Sequence, residues 1–225
     1  MNSAQNQPQV TKSKYIGIFL VALSTLMYEI LLTRIFSVTM GYHFAFMAVS
    51  LAMFGMTVGA IIVYIFPHKF PQEKINTILT RQALYFSLAT ILSFLIHLFI
   101  PFIHGMSLFG MAVTAFTYAE ISVPFVFSGI CISLLLTRFP KSVNKLYAAD
   151  LIGASLGCIL VVVVLNVSGG PTGVFITALF SAAAAYFFNR NSELKTSIGK
   201  GIAVFSLVIL VFAVFHTVLV QKHEP

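Results

Sequence analysis

The stretch 12–41, KSKYIGIFLVALSTLMYEILLTRIFSVTMG, begins with two lysines and runs apolar from about 15 to 38, interrupted by ionisable groups only at Glu29 and Arg34. It closes on a Thr-Met-Gly turn. An α-helix needs roughly 20 residues to cross ~30 Å of hydrocarbon, and this run is long enough. The apolar part of a secretory signal spans only about 7 to 15 residues, so the run is too long to be one. In lipid a helix satisfies every backbone polar group within its own segment. The short turn at 39–41 makes the next apolar run, about 42 to 66, an antiparallel neighbour.

Five more apolar runs follow, at about 83 to 103, 108 to 137, 144 to 166, 172 to 188 and 199 to 220. The reading is an all-α, polytopic integral membrane bundle of seven transmembrane helices. Eleven of the thirteen Lys and Arg residues fall at the amino terminus or in every second gap: Lys12 and Lys14; Lys69, Lys74 and Arg81; Arg138, Lys141 and Lys145; Arg190, Lys195 and Lys200. Cytoplasmic loops retain Lys and Arg, so these clusters place the amino terminus in the cytoplasm. The organisation expected is a polar cytoplasmic tail at 1–14, a transmembrane domain at 15–220 and a short tail at 221–225.

Composition agrees. Hydrophobic residues make up 59% of the chain and charged residues 8%, against about 25% charged in soluble domains. The net charge of +7 sits in short loops beside helix ends, where it sets orientation and meets anionic lipid. The partner implied is the lipid bilayer, not nucleic acid. Cys131 and Cys158 both fall inside predicted helices, which suits packing rather than a disulfide framework or a thiolate metal site.

Asn166–Gly173, NVSGGPTG, reads as a turn-rich outer loop; no Lys followed by Ser or Thr comes after its glycines, as a phosphate cradle requires. Pro124, inside the fourth run, is expected to kink or locally open its helix. Gly55 with Gly59, and Gly153 with Gly157, recur at four-residue spacing, which permits close helix approach.

Four ionisable residues remain inside the runs: Glu29, Arg34, Glu120 and Asp150. Each costs about 2.5–3.5 kcal/mol on insertion scales and should face the bundle interior with a partner. Glu29 and Glu120 lie near the middle of their helices. Arg34, five residues on, is rotated about 140° from Glu29, so a bridge within the helix is poor. Three acids face one base, and at least one acid is expected to carry a proton in low dielectric. Glu29 and Glu120 read either as a functional polar site or as interhelical hydrogen-bonding groups; Asp150, within reach of Lys145 or Arg138, reads first as structural. His43 and His97 fall near the outer helix ends with Arg34, and interfacial hydrogen bonding is the default for two histidines without a third ligand. A retinal-binding Lys, an HExxH pair and a GxGxxG turn are all lacking. No catalytic residue, metal site or cofactor is expected.

The strings Glu29–Ser37 (EILLTRIFS), Tyr42–Ser50 (YHFAFMAVS) and Leu51–Gly59 (LAMFGMTVG) resemble the first helical hairpin of the membrane region in bacterial spermidine-synthase-like proteins. Pro124–Gly129 (PFVFSG), Thr137–Pro140 (TRFP) and Leu146–Gly157 (LYAADLIGASLG) resemble later helices of the same region. The resemblance spans roughly residues 20 to 180 and puts Glu29, Arg34, Tyr42, His43, Asp150 and Gly153 at its motif positions. It implies a multi-pass protein of the bacterial cytoplasmic membrane. In many such proteins a soluble aminopropyltransferase-like domain follows; this sequence ends at Pro225, ahead of one, so the partner expected is a synthase-like domain or subunit supplied elsewhere. Two functions follow: a module that anchors or supplies substrate to amine or polyamine chemistry, or a small transporter, with or without proton coupling, for a cationic amine or similar solute.

In a background without the native cysteines, single cysteines at Thr39 and Gly170 should react with an impermeant thiol reagent from outside intact cells. One at Asn76 or Asn191 should not, and comparable labelling at Asn76 overturns the orientation.

Overall fold

The computed structural model describes residues 10–100, 108–190 and 201; the side chains of Tyr42 and His43 lie outside that description. Five long α-helices carry the fold: α1 (Lys12–Thr39), α2 (Tyr42–Ile65), α3 (Ile75–Phe99), α4 (Leu108–Arg138) and α5 (Val143–Asn189). Three single 3-10 turns, at Pro67–Lys69, Gln72–Lys74 and Pro140–Ser142, lie between them, and no strand occurs among the described residues. All five helices are long and apolar enough to cross a membrane. Hydroxyls within them turn back onto their own backbone: Ser24 donates to the Leu20 carbonyl, Thr90 to Phe86 and Thr177 to Gly173. That is how Ser and Thr are accommodated where no water is at hand.

The count is therefore five helices among the described residues rather than seven. The run at 199–220 lies outside the description, apart from Gly201. The runs at 144–166 and 172–188 are joined in α5, and the loop expected at Asn166–Gly173 is reduced to a break at one residue, Gly169 (φ 76°, ψ 176°). A positive φ of this kind costs glycine little. Pro171, two residues on, lacks an N–H and fits the first turn of a new helical segment.

The chain doubles back at that break. A methyl group built on Gly173 would lie 3.3 Å from Val164 Cγ1, although residues nine apart on a straight helix are about 13.5 Å apart along the axis. The first half of α5 packs Gly153 on Phe19 and Gly157 on Leu23, parallel to α1. The second half packs Gly173 on Leu31 and sets Phe188 over Gly17, antiparallel to it. At the α1–α2 junction, the Met40 and Gly41 amides both donate to the Phe36 carbonyl, and Gly41 takes φ 109° before α2 begins.

Small residues set the spacing elsewhere too. A methyl on Gly55 would lie 2.5 Å from the Ser122 carbonyl oxygen, and one on Gly129 would lie 2.5 Å from that of Met56, so α2 and α4 touch backbone to backbone. Both glycine pairs thus act as the sequence suggested. Ser87 donates to the Ala178 carbonyl (2.7 Å) and Ser181 to that of Ala83 (2.9 Å), tying α3 to the second half of α5. α4 is assigned as one uninterrupted helix through Pro124, so the local opening expected there does not occur.

The basic clusters gather at one end of the bundle. Lys14 Nζ lies 4.5 Å from the centre of the Phe139 ring, Arg138 donates to the Pro67 carbonyl, and Gln72 donates to the Arg138 carbonyl. The opposite end is marked by the Thr39–His97 contact and by Gly170 beside Ile35.

Gly153→Ala should destabilise the bundle by about 1–3 kcal/mol, because its methyl meets the Phe19 backbone rather than a movable side chain. Ala148→Leu, on the exposed face of the same helix, should leave the thermal midpoint in place. Equal midpoints for the parent and Gly153→Ala would contradict the close approach.

Candidate functional site: a buried carboxyl in the groove between α3 and α4

Among the described residues, the polar positions read from the sequence form no ion pair with one another. Arg34 is exposed, because its neighbours Leu31, Leu32, Ile35 and Phe36 take the core face of α1. It stands five residues, about 7.5 Å, from the helix end at Thr39, where a long cationic side chain can reach the interface. Glu29 is half-buried on the same helix. Neither takes part in an ion pair among the described residues. The side chain of His43, at the start of α2, lies outside the described residues.

Asp150 is half-buried on the stripe of α5 that also carries Leu146, Gly153, Gly157 and Val161. Its Oδ1 is buried without a hydrogen-bond partner. Neither cation expected to meet it does so: Lys145 is exposed, and Arg138 is turned to Pro67. His97 is buried, with Nε2 3.4 Å from Thr39 Oγ1 and its ring tilted against Phe36 at 5.2 Å. This is the interfacial hydrogen-bonding role read first for the histidines.

Glu120 differs from the others. It is 9% exposed, and both of its carboxylate oxygens are buried with no partner at hydrogen-bonding geometry. It lines a groove of about 590 Å³ between α3 and α4, whose walls include Tyr85, Leu92, Ser93, Phe116 and Phe127. Ser93 faces it across the groove. The Tyr28 hydroxyl of α1 donates to Ser93 Oγ at 3.3 Å, which leaves the Ser93 proton free to turn toward Glu120. Tyr28 is fixed in turn by stacking on Phe125, with centroids 5.3 Å apart. One turn nearer the basic end, Thr25 and Ser128 are hydrogen-bonded; Thr25 uses its single proton on the Val21 carbonyl, so Ser128 is the donor.

The arrangement is thus Tyr28, Ser93 and Glu120, drawn from three helices. The groove between α3 and α4 holds Glu120 and neither Glu29 nor Asp150. Sequence reading gave Ser93 no role. The signal was a hydroxyl stripe, Ser87, Thr90 and Ser93, at three-residue spacing within the mainly apolar stretch 83–96 of α3, and all three are buried.

Chemically, a carboxyl in low dielectric without a partner can hold a proton or receive a cation. Comparison with protein-family models, with curated proteins and with solved structures finds no match to this chain.

Glu120→Leu should keep or raise the thermal stability of ligand-free protein, since replacing an unsatisfied buried polar group by an apolar one is nearly neutral or stabilising. Tyr28→Phe should lose about 0.5–1.5 kcal/mol with its hydrogen bond. A fall of more than about 2 kcal/mol in Glu120→Leu would show instead that the carboxyl holds the helices together.

Proposed function

We propose that this chain is a multi-pass protein of the bacterial cytoplasmic membrane that receives an organic cation at Glu120. The observation that carries the reading is the carboxyl itself, buried and unpartnered on the wall of a groove otherwise lined mainly by apolar side chains. A negative group held this way is costly unless protonated or matched, and an ammonium group is its complement. The resemblance to the membrane region of spermidine-synthase-like proteins supports an amine as that cation, either passed to a synthase-like domain or subunit or carried across the membrane. An intramembrane acid also suits coupling to a proton.

The orientation proposed is amino terminus inside. It is supported by the gathering of Lys14, Lys69, Lys74, Arg138, Lys141 and Arg190 near one end of the bundle, since cytoplasmic loops retain Lys and Arg. Seven crossings remain the proposal, with the reversal at Gly169 dividing α5 into two and the run at 199–220 supplying the last.

Titration of the purified protein with a panel of primary amines, including putrescine and spermidine, tests this. Binding to the folded state should raise stability by about 2.7 kcal/mol at a hundredfold excess over the dissociation constant. Glu120→Gln should lose most of the gain while Glu29→Gln keeps it. An unchanged gain in Glu120→Gln, or none in the parent with any amine, removes Glu120 as a cation site.

A further inference from the structure

We infer that the groove takes its ligand sideways from the hydrocarbon of the membrane, and that the ligand is an amphiphile with one ammonium group on an elongated apolar body. The inference rests on the proposal that Glu120 receives a cation, and it specifies what kind and by what route.

The route follows from exposure. The mouth of the groove is framed by Leu88, Leu92 and Ile96 of α3 and by Phe116 and Val123 of α4, all exposed on the outside of the bundle. In a membrane that surface faces acyl chains rather than water. The interior side is closed. Tyr28 and Phe125 stack behind the groove, and with Ile121 they are fully buried, so among the described residues packed side chains stand between the bundle axis and the carboxyl. A ligand that meets Glu120 therefore passes between α3 and α4.

The shape follows from the helix register. The lining runs from Tyr85 to Ile96 on α3 and from Phe116 to Phe127 on α4, an offset of eleven residues along each wall, or about 16 Å along the bundle. Glu120 stands about 6 Å from the Phe116 end and about 10 Å from the Phe127 end, so most of the length beyond it, toward the basic end, is apolar wall. A single ammonium can place its N–H donors on the Glu120 carboxylate beside the Ser93 hydroxyl while its apolar body lies along Leu88, Ala89 and Phe127. A polyamine cannot do the same. Its further ammonium groups would lie against apolar wall, stripped of water and uncompensated, because Glu29 and Asp150 are not in the groove.

Equilibrium binding of radiolabelled dodecylamine to the full chain in lipid nanodiscs tests the inference. Binding should be saturable, at least tenfold weaker in Glu120→Gln, and displaced at least tenfold less well by spermidine than by unlabelled dodecylamine. Dodecanol, with the same chain and no charge, should not displace it. Ala119→Phe and Ala89→Leu fill the mouth from opposite walls without touching the carboxyl; each variant that folds should weaken dodecylamine at least tenfold. Equal displacement by spermidine, or full affinity in a folded mouth-filling variant, overturns the lateral single-ammonium site while leaving a cation at Glu120 standing. Displacement by dodecanol shows apolar partitioning and overturns it as well. Full amine affinity in Glu120→Gln defeats both this inference and the cation site beneath it.

Discussion

The close approach of the α1 backbone to both halves of α5 is the contact on which the other helices depend. Helices in lipid gain nothing from leaving an apolar solvent for an apolar neighbour, so association depends on backbone proximity, dispersion and hydrogen bonds between helices. Gly153 and Gly157 let the first half of α5 lie on the Phe19 and Leu23 backbone, and Gly173 lets the returning half lie on Leu31. Phe188 then covers Gly17 at the basic end. With that three-segment unit formed, α3 docks through Ser87 and Ser181 onto backbone carbonyls, and α2 docks against α4 through Gly55, Gly59 and Gly129.

The same packing isolates Glu120. Around it the buried hydroxyls find partners: Tyr28 on Ser93, Thr25 on Val21 and Ser128, Ser87 on Ala178. Glu120 is left with two buried oxygens and no partner at hydrogen-bonding geometry, only the Ser93 hydroxyl facing it. Other unpartnered buried atoms occur among the described residues, on Gln82, His97 and Asp150, but none of those residues lines the groove. What sets Glu120 apart is the conjunction of a dehydrated carboxyl with a space large enough to hold a ligand beside it.

Much of this was legible residue by residue. Apolar runs between basic gaps predicted long helices whose Lys and Arg share one end, and the Lys14–Phe139 and Arg138–Pro67 contacts put them there. Glycines at four-residue spacing predicted close helix pairs. Glu120 stood out as an acid in the middle of an apolar run. Less legible was the fate of NVSGGPTG, whose Gly and Pro content suggests a loop, although one positive φ at Gly169 is enough to reverse the chain. That Glu120 lines the groove without Glu29, Arg34 or Asp150 was also not recoverable, because position along a helix says little about which way a side chain faces once the helix has several neighbours.

By itself, then, the sequence determined the solvent and the secondary structure: runs of more than twenty apolar residues can satisfy their backbone in hydrocarbon only as helices, and the charge of the gaps is a local property of the chain. Only the tertiary structure decided which polar residues meet. Tyr28, Ser93 and Glu120 are 65 and 27 residues apart in turn along the chain, and they come together because glycine contacts set α1 against α5 and α4 against α2, while the Ser87 and Ser181 hydrogen bonds set α3. A rotation of one helix by one residue, about 100°, would have turned Glu120 away from the groove and another residue into it.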